Sequence, residues 1–396
     1  MNDRENTLIR RTSIMANESL PSLLRRLADL NCYDPYSTLT QLIKERSHCK
    51  DKIELPRQAV TYREITALTR IPISEIHTSS AHFFAEVLTP PDSAIDCLNI
   101  DNRAFPLLSQ AYAAKQLRPL HASQFCPKCL KESAHHRLIW MPIAVSACLQ
   151  HGCLLVNHCP TCQSNITIQS IVEAQCSKCY THLSLAESVV LYGDEWGVFS
   201  QYLIQAWLTQ KAVTHPAIAP LLEKTSRILY RVVDGLQWTA RILARTNWPY
   251  LHYSTKMSQL NKKQFQHKAV GSTTPYESYC LYATACKAIV NWPNGFYDFL
   301  EAYSAQIKKT APSGGGPKAD LGNLYVQWLQ EYWQHPAFRF VHKAFEDYFI
   351  HHYTLSSAVI RTNVCRRDAS IPEQFEHISI AEAARLLGTT PSVNGQ

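Results

Sequence analysis

The first regular pattern of apolar and polar positions is a set of leucines near the N-terminus. They recur three or four residues apart, at Leu20, Leu23, Leu24, Leu27 and Leu30. This is the spacing of one face of an α-helix. Pro21 falls in the first turn, where a missing backbone N–H is tolerated. The pattern predicts a helix from about Ser19 to Asn31 that buries its leucine face.

A pair of short helices is predicted next. Thr61 and Glu64 have the spacing of a capping box, and apolar positions follow at helical intervals. A turn through Arg70–Pro72 precedes a new start at Ser74, so the second helix is expected to run to about Phe83. Helices joined by so short a turn form a helix-turn-helix unit, whose second helix enters a groove in DNA-binding examples.

Further helices are predicted toward the C-terminus. They cover Trp196 to Trp207, Leu221 to Val233 with a break at Gly235, Thr274 to about Val290, Leu324 to Trp333, and Phe338 to Tyr353. The start at Thr274 combines a capping threonine, a proline at the first helical position and a glutamate three residues on. Trp292–Gly295 is expected to end this helix, and Ser313–Pro317 to form a flexible connector.

The tail repeats the start of a helix-turn-helix unit. Ser379 and Glu382 form a further capping box, and a new start follows at Thr390. The six residues from Pro391 to Gln396 are too few for a second helix, so this unit is expected to be incomplete.

Eight metal-capable side chains lie at ligand spacing in the middle of the chain. They form two quartets: Cys126, Cys129, Cys148 and His151, then Cys159, Cys162, Cys176 and Cys179. Two residues between paired ligands allow both side chains to reach one ion from a tight turn. Each quartet therefore predicts one tetrahedral zinc ion. Because catalytic zinc keeps one position open for water, we expect both ions to stabilise the fold and to take no part in catalysis.

The remaining cysteines and the nearby histidines are not predicted to be metal ligands, with Cys153 as the one alternative. Six cysteines stand singly and are expected to be small buried apolar residues: Cys32, Cys49, Cys97, Cys280, Cys286 and Cys365. Cys153 is the one alternative ligand, because it closely follows His151. Four histidines are expected at the surface or behind the ligands: His135, His136, His158 and His182.

Length, composition and charge narrow the class of protein. The chain has 396 residues, 46% of them hydrophobic, so two or three globular domains are expected. No stretch of about 18 uncharged apolar residues is present, and Met1–Ile14 lacks the apolar core of a signal peptide. We therefore expect a cytoplasmic protein without membrane contact, whose cysteines bind metal rather than form disulfides. The formal charge of +7 is compatible with a nucleic-acid partner but does not establish one.

The second helix of the predicted helix-turn-helix unit is poor in cations. The candidate nucleic-acid contacts on and beside it are Ser74, Glu75, His77, Thr78, Ser79, Arg63 and Arg70. Among the candidates on the helix, only His77 can become positively charged. Because phosphate binding and base reading usually rely on Arg or Lys, DNA reading and a plain packing or protein-docking role both stay open.

Short motifs extend over most of the chain. The cysteine-rich segment reads Cys-Pro-x-Cys-Leu, Trp140, Cys-x-x-His, Leu154-Leu155 and Cys-Pro-x-Cys. An opening Glu18-Ser19-Leu20 precedes it, and Trp292–Phe296 and Ala344–Tyr348 follow. In combination, over about Asn17 to Tyr353, these motifs resemble the TniQ/TnsD target-selection proteins of bacterial transposons.

The resemblance implies an adaptor without catalytic activity. Proteins of this family link a target-recognition element to the AAA+ regulator TnsC, which licenses the transposase. A chain of this length is similar to the bacterial TniQ proteins that ride on an RNA-guided CRISPR Cascade complex, often as homodimers. The implied partners are Cascade subunits with their guide RNA, TnsC and target DNA.

The predicted fold is mainly α and multi-domain. Its parts are a disordered extension (1–16), an N-terminal helix-turn-helix domain (17–86), a connector with a double zinc-knuckle module (87–185), a C-terminal helical domain (186–355), and a tail with the incomplete unit (356–396).

The resemblance implies two alternative functions. The first is the Cascade adaptor, and the alternative is a TnsD-like selector that reads an attachment site itself. The cation-poor helix at Ser74 and the incomplete tail favour the first. An enzyme is disfavoured, because the sequence shows no open metal site, Walker loop, Ser/His/Asp order or paired-carboxylate motif.

Overall fold

A computed structural model describes residues 7–34, 36–244, 246, 248–253, 273–310, 320–322, 324–325 and 335–352. Over these residues the protein is mainly helical, as the sequence predicts, with two short antiparallel hairpins. Most of the predicted helix at Leu324–Trp333 lies outside the described residues, as do the connector at Ser313–Pro317 and the tail from 353 onward. No helix in the described part of the chain is both long and apolar enough to span a lipid bilayer.

The helices and strands are short. The helices are α1 (Leu20–Leu30), α2 (Ser37–Ser47), α3 (Ala59–Thr69), α4 (Ile73–Ser79), α5 (Ala85–Leu88), α6 (Gln110–Gln116), α7 (Pro127–Glu132), α8 (Ile168–Val172), α9 (Glu195–Leu208), α10 (Ser226–Leu243), α11 (Pro275–Lys287), α12 (Asn294–Thr310) and α13 (Arg339–His352). The strands pair antiparallel, β1 (Asp96–Ile100) with β2 (Arg103–Leu107) and β3 (Ala147–Cys148) with β4 (Cys153–Leu154).

The chain forms two compact units, each assembled from separate stretches. The first comprises Met1–Val213, Lys224–Asp234 and His252–Ala283, and the second comprises Thr214–Glu223, Gly235–Leu251 and Thr284–Gln396. The region of α3 and α4 and the cysteine-rich segment both belong to the first unit.

The leucine face of α1 is confirmed as part of a core. Four of its five leucines are almost fully buried, whereas Leu30 at the end of the helix is 38% exposed. The same cluster includes Ile65 of α3 and Ile76 of α4. Burying one leucine contributes about 1.5–3 kcal/mol. Leu8, from the stretch predicted as an extension, is also buried and donates its N–H to Leu68 O at 3.0 Å.

The start of α3 differs from the predicted capping box. The helix begins at Ala59, so Thr61 lies inside its first turn and is buried. Its hydroxyl donates to the Asp51 carboxylate at 3.3 Å, which also accepts the backbone N–H of Gln58 at 3.0 Å. Glu64 pairs with Arg46 instead of capping the helix. The predicted cap is therefore wrong, because a carboxylate from outside the helix satisfies its first turn.

The second helix, α4, is shorter than predicted. It starts at Ile73 and ends at Ser79, where the Ser79 hydroxyl donates to Glu75 O at 2.6 Å. Ser80 then takes an extended conformation, and its hydroxyl accepts from His82 N at 3.2 Å, which opens a separate 3-10 turn. Serine side chains that bond nearby backbone groups compete with helix continuation. The expected extension to Phe83 is therefore wrong.

The later helices show one confirmed start and one wrong break. The Thr274 hydroxyl accepts from Glu277 N at 3.2 Å at the start of α11, as predicted. By contrast, α10 continues through Gly235 instead of breaking there. A glycine inside a helix costs only about 1 kcal/mol relative to alanine. The neighbouring Val233 and Leu236 are fully buried, and their burial outweighs that loss.

The motif Trp292–Gly295 starts a helix as well as following one. α12 begins at Asn294, one residue before Gly295. A Cβ atom added to Gly295 would lie 2.1 Å from Val290 O and 2.5 Å from Lys287 O. Glycine is therefore required here, because the start of α12 passes directly over the end of α11.

Candidate metal centre

The first quartet is assembled from a helix start and a hairpin. Cys126 precedes α7 and Cys129 lies in its first turn. Cys148 ends β3, and His151 lies in the turn that leads to β4. The ligand atoms of all four side chains lie within 4.8 Å of one another, as the spacing predicts.

The separations within this quartet fit a tetrahedral zinc ion. His151 Nδ1 lies 3.2 Å from the Cys129 sulfur, 3.4 Å from the Cys126 sulfur and 3.5 Å from the Cys148 sulfur. The Cys129 and Cys148 sulfurs are 3.5 Å apart. Zinc bonds of about 2.3 Å to sulfur and 2.0–2.1 Å to nitrogen would separate tetrahedral ligand atoms by about 3.5–3.8 Å. The site can therefore hold a metal ion with little rearrangement.

Glu132 orients the His151 ring by contacting Nε2, the ring nitrogen that faces away from the thiols. His151 Nε2 lies 2.9 Å from Glu132 Oε1, and Gln150 Nε2 donates to the other carboxylate oxygen at 3.2 Å. Although partial burial acts in the opposite direction, the hydrogen bond to Glu132 raises the pKa of His151. With its proton on Nε2, the ring presents Nδ1 to the thiols as the free ligand atom. Sequence spacing did not identify Glu132; its signal was an acidic residue three positions after a ligand cysteine.

The second quartet lies on either side of α8. The Cys159 and Cys179 sulfurs are 3.5 Å apart, and those of Cys162 and Cys176 are 3.6 Å apart. All four sulfurs lie within 4.8 Å of one another, again as predicted. Cys162 is exposed at the outer side of the cluster. This quartet offers sulfur alone.

Hydroxyl and thiol neighbours favour the thiolate of Cys148 in the first quartet and of Cys176 in the second. Burial opposes ionisation of Cys176, but contacts led by the Ser164 hydroxyl lower its pKa to about 6. Hydrogen bonds from the Cys126 and Cys129 thiols lower the pKa of Cys148. Hydrogen bonds with neighbouring thiols raise the pKa of Cys126, and burial raises that of Cys159, so the thiolate that binds metal is favoured at only some of the ligands. Each described quartet offers four side chains that would fill every position of a tetrahedral ion, as in zinc sites that stabilise a fold.

His136 connects the start of α1 to the cysteine-rich segment. Its Nδ1 lies 2.9 Å from Ser19 Oγ, and its Nε2 lies 2.8 Å from Ser123 Oγ. Burial lowers the pKa of His136 to about 3, so the ring is neutral. Glu18 beside it is buried and pairs with Arg26 at 3.2 Å. The Glu-Ser-Leu motif therefore anchors the segment that carries the first quartet.

Several predicted placements of cysteines and histidines are corrected. His135 and His136, expected at the surface or behind the ligands, are buried, and their rings hydrogen-bond to residues other than the eight ligands. Cys32 and Cys97 are exposed, whereas Cys49, Cys280 and Cys286 are buried as predicted. Cys365 lies outside the described residues.

The candidate nucleic-acid contacts are divided between surface and interior. His77 is buried, with Nε2 2.8 Å from Pro106 O, and Ser79 is buried too. The exposed candidates are Arg63, Arg70, Glu75 and Thr78, and Ser74 is half-buried. Arg63 pairs with the exposed Asp101 of the β1–β2 turn at 3.1 Å. The structure thus brings together the four ligand atoms within each predicted quartet. It leaves α4 with a small exposed face that carries no cation.

Comparison with known proteins identifies the N-terminal part of the chain. No curated protein matches the chain. Residues 9–155 match the family model described as TniQ. The matched region runs from just before α1 to the end of the hairpin that carries the first quartet. The chain therefore contains a TniQ-family region over residues 9–155.

Proposed function

We propose that this chain is a non-catalytic adaptor in RNA-guided DNA transposition. It links a CRISPR Cascade target complex to the AAA+ regulator TnsC, which recruits the transposase. The TniQ-family region supports a role in transposon target selection. The choice of Cascade over direct DNA reading depends on α4.

The exposed face of α4 carries the proposal. Its seven residues, Ile73–Ser79, contain no Arg or Lys. The one side chain that could become cationic, His77, is buried, and burial lowers its pKa. What reaches the surface is Glu75, Thr78 and part of Ser74. A carboxylate in this position opposes a phosphate backbone, so this face is better suited to protein than to DNA.

The two quartets support a structural use of metal. Each offers four protein ligands, which favours zinc that holds the fold and leaves no position for a reacting water. We therefore propose two zinc ions per chain and no catalytic role for either ion.

A second candidate function is favoured by two exposed arginines, one within α3 and one at its end. Arg63 on α3 and Arg70, which follows α3 with a φ of 63°, are both exposed. Arginines flanking a helix-turn-helix are suited to phosphate contacts. A TnsD-like selector would use them while other parts of the chain read bases.

A paired binding experiment distinguishes the two functions. The purified full-length chain is titrated against duplex DNA at physiological salt, and is separately tested for retention on Cascade with its guide RNA and on TnsC. We expect weak, non-selective DNA binding that declines steeply with salt, together with retention on both partners. Nanomolar, sequence-selective DNA binding without retention on Cascade would overturn the adaptor and support the selector.

An Arg63→Ala/Arg70→Ala variant sharpens this test. As an adaptor, the variant should keep its retention on Cascade and TnsC. As a selector, it should lose DNA affinity and show a salt dependence shallower by about one unit for each phosphate contact removed. Lys115→Ala, which removes an exposed cation from α6, is the matched control.

A further inference from the structure

Cys153 lies against the first quartet without belonging to it. Its sulfur is 3.7 Å from the Cys126 sulfur, and the residue is fully buried. The β3–β4 register places it directly opposite Cys148. A fifth metal-capable donor therefore lies beside Cys126, one of the four ligands whose donor atoms lie within 4.8 Å of one another.

The separation between the Cys153 and Cys126 sulfurs is that of two ligands on one ion. Two sulfurs bound to a tetrahedral zinc at about 2.3 Å are about 3.8 Å apart. The distance to Cys126 is therefore compatible with both sulfurs binding one ion, and the Cys153 side chain must move to take the place of His151.

His151 is the ligand best placed to leave. The three cysteines of the quartet are buried, whereas His151 is partly exposed and lies in the turn between β3 and β4. The next residue, Gly152, has a φ of 56°, a conformation that glycine adopts without strain. Glu132 contacts the imidazole from its solvent side, where the side chain is half exposed. His151 is therefore the ligand nearest to solvent, and its departure would break one hydrogen bond to Glu132 while the three sulfurs stay buried.

We propose that Cys153 is a reserve ligand of the first metal site. When His151 leaves the ion, the Cys153 thiol releases its proton to water and its sulfur takes the vacated position. The site then binds a thiophilic divalent ion, such as zinc or cadmium, through four sulfurs. This inference depends on metal binding at the quartet and is independent of the adaptor function.

Metal stoichiometry tests the proposal directly. Zinc per chain is measured by elemental analysis on folded, full-length protein. We expect two ions in the wild type, two in His151→Ala, and one in His151→Ala/Cys153→Ser. One ion in His151→Ala, or two in the double variant, would overturn the proposal. Cys176→Ala in the second quartet is the control and should retain one, because among the described side chains the sulfurs of that quartet contact only one another and hydroxyl groups.

A kinetic measurement covers the case in which His151→Ala does not fold. Zinc release from Cys153→Ser and from wild type is followed with a colorimetric chelator in excess. Release from the first site should be severalfold faster in Cys153→Ser, because a transiently detached ligand is no longer replaced. Equal rates would contradict a reserve role. Cys97→Ser, which alters an exposed cysteine outside both quartets, should match the wild type.

Discussion

At the scale of single residues, the Glu132 carboxylate fixes the orientation and the tautomer of the His151 ring. Glu132→Ala removes the acceptor that holds the His151 ring and its tautomer. Loss of such a partner typically weakens metal binding about 10–100-fold, and we expect that change at the first site only. Competition with a chelator of known affinity measures it. Glu187→Ala, an exposed glutamate in the same segment, should leave the affinity unchanged, and equal affinities in both variants would disprove the role of Glu132.

Two buried histidines should make the fold sensitive to acid. Burial lowers the pKa of both His82 and His136 to about 3, against 6.5 for an exposed histidine. Below about pH 6.5 the unfolded chain binds protons that the folded chain does not, so the free energy of unfolding should fall as the pH falls.

Urea unfolding at several pH values tests this dependence on histidine. His136→Asn should show a shallower decline between pH 6.5 and pH 5 than the wild type. Both proteins keep both metal quartets, so loss of metal affects them alike and the difference in slope reports the histidine. An unchanged slope would show that His136 does not contribute.

At the scale of elements, Gly295 fixes the passage from α11 to α12. Gly295→Ala would place a Cβ against Val290 O and Lys287 O, two backbone atoms that cannot rotate away. Forced overpacking of this kind costs typically about 1–3 kcal/mol, so the thermal unfolding midpoint should fall. Asp298→Ala, at an exposed position of α12, is the control. A Gly295→Ala protein as stable as that control would contradict the close approach.

The sequence predicts best those elements whose formation depends on residues close together in the chain. α1 has its leucine spacing, α11 its Thr274 cap, and each quartet its two-residue ligand spacing, so neighbouring residues suffice. The first turn of α3 is satisfied by Asp51, and α10 passes through Gly235 because of tertiary burial. Such contacts arise only on folding, which is also why the sequence identifies neither Glu132 as a partner of His151 nor the bonds of His136 to Ser19 and Ser123.

At the scale of the whole molecule, metal content should be fixed by the two quartets. Purified chain should contain close to two zinc ions, and Cys159→Ser should contain about one and unfold at a lower temperature. Structural zinc contributes directly to the free energy of folding, which gives the expected direction. Elemental analysis and thermal unfolding measure both effects, with Cys97→Ser as the control. A folded wild-type protein without zinc would refute the ligand assignment.

The bond between Ser19 and His136 has a consequence for synthesis on the ribosome. The two residues are 117 positions apart. At about 5–20 residues per second, the anchoring end of α1 waits roughly 6–23 s before its partner is made. During that interval the leucine face of α1 can be covered by α2, α3 and α4, which emerge earlier, while Glu18 and Ser19 remain without the histidine. The nascent chain therefore completes its N-terminal region only as the first metal-binding segment leaves the exit tunnel.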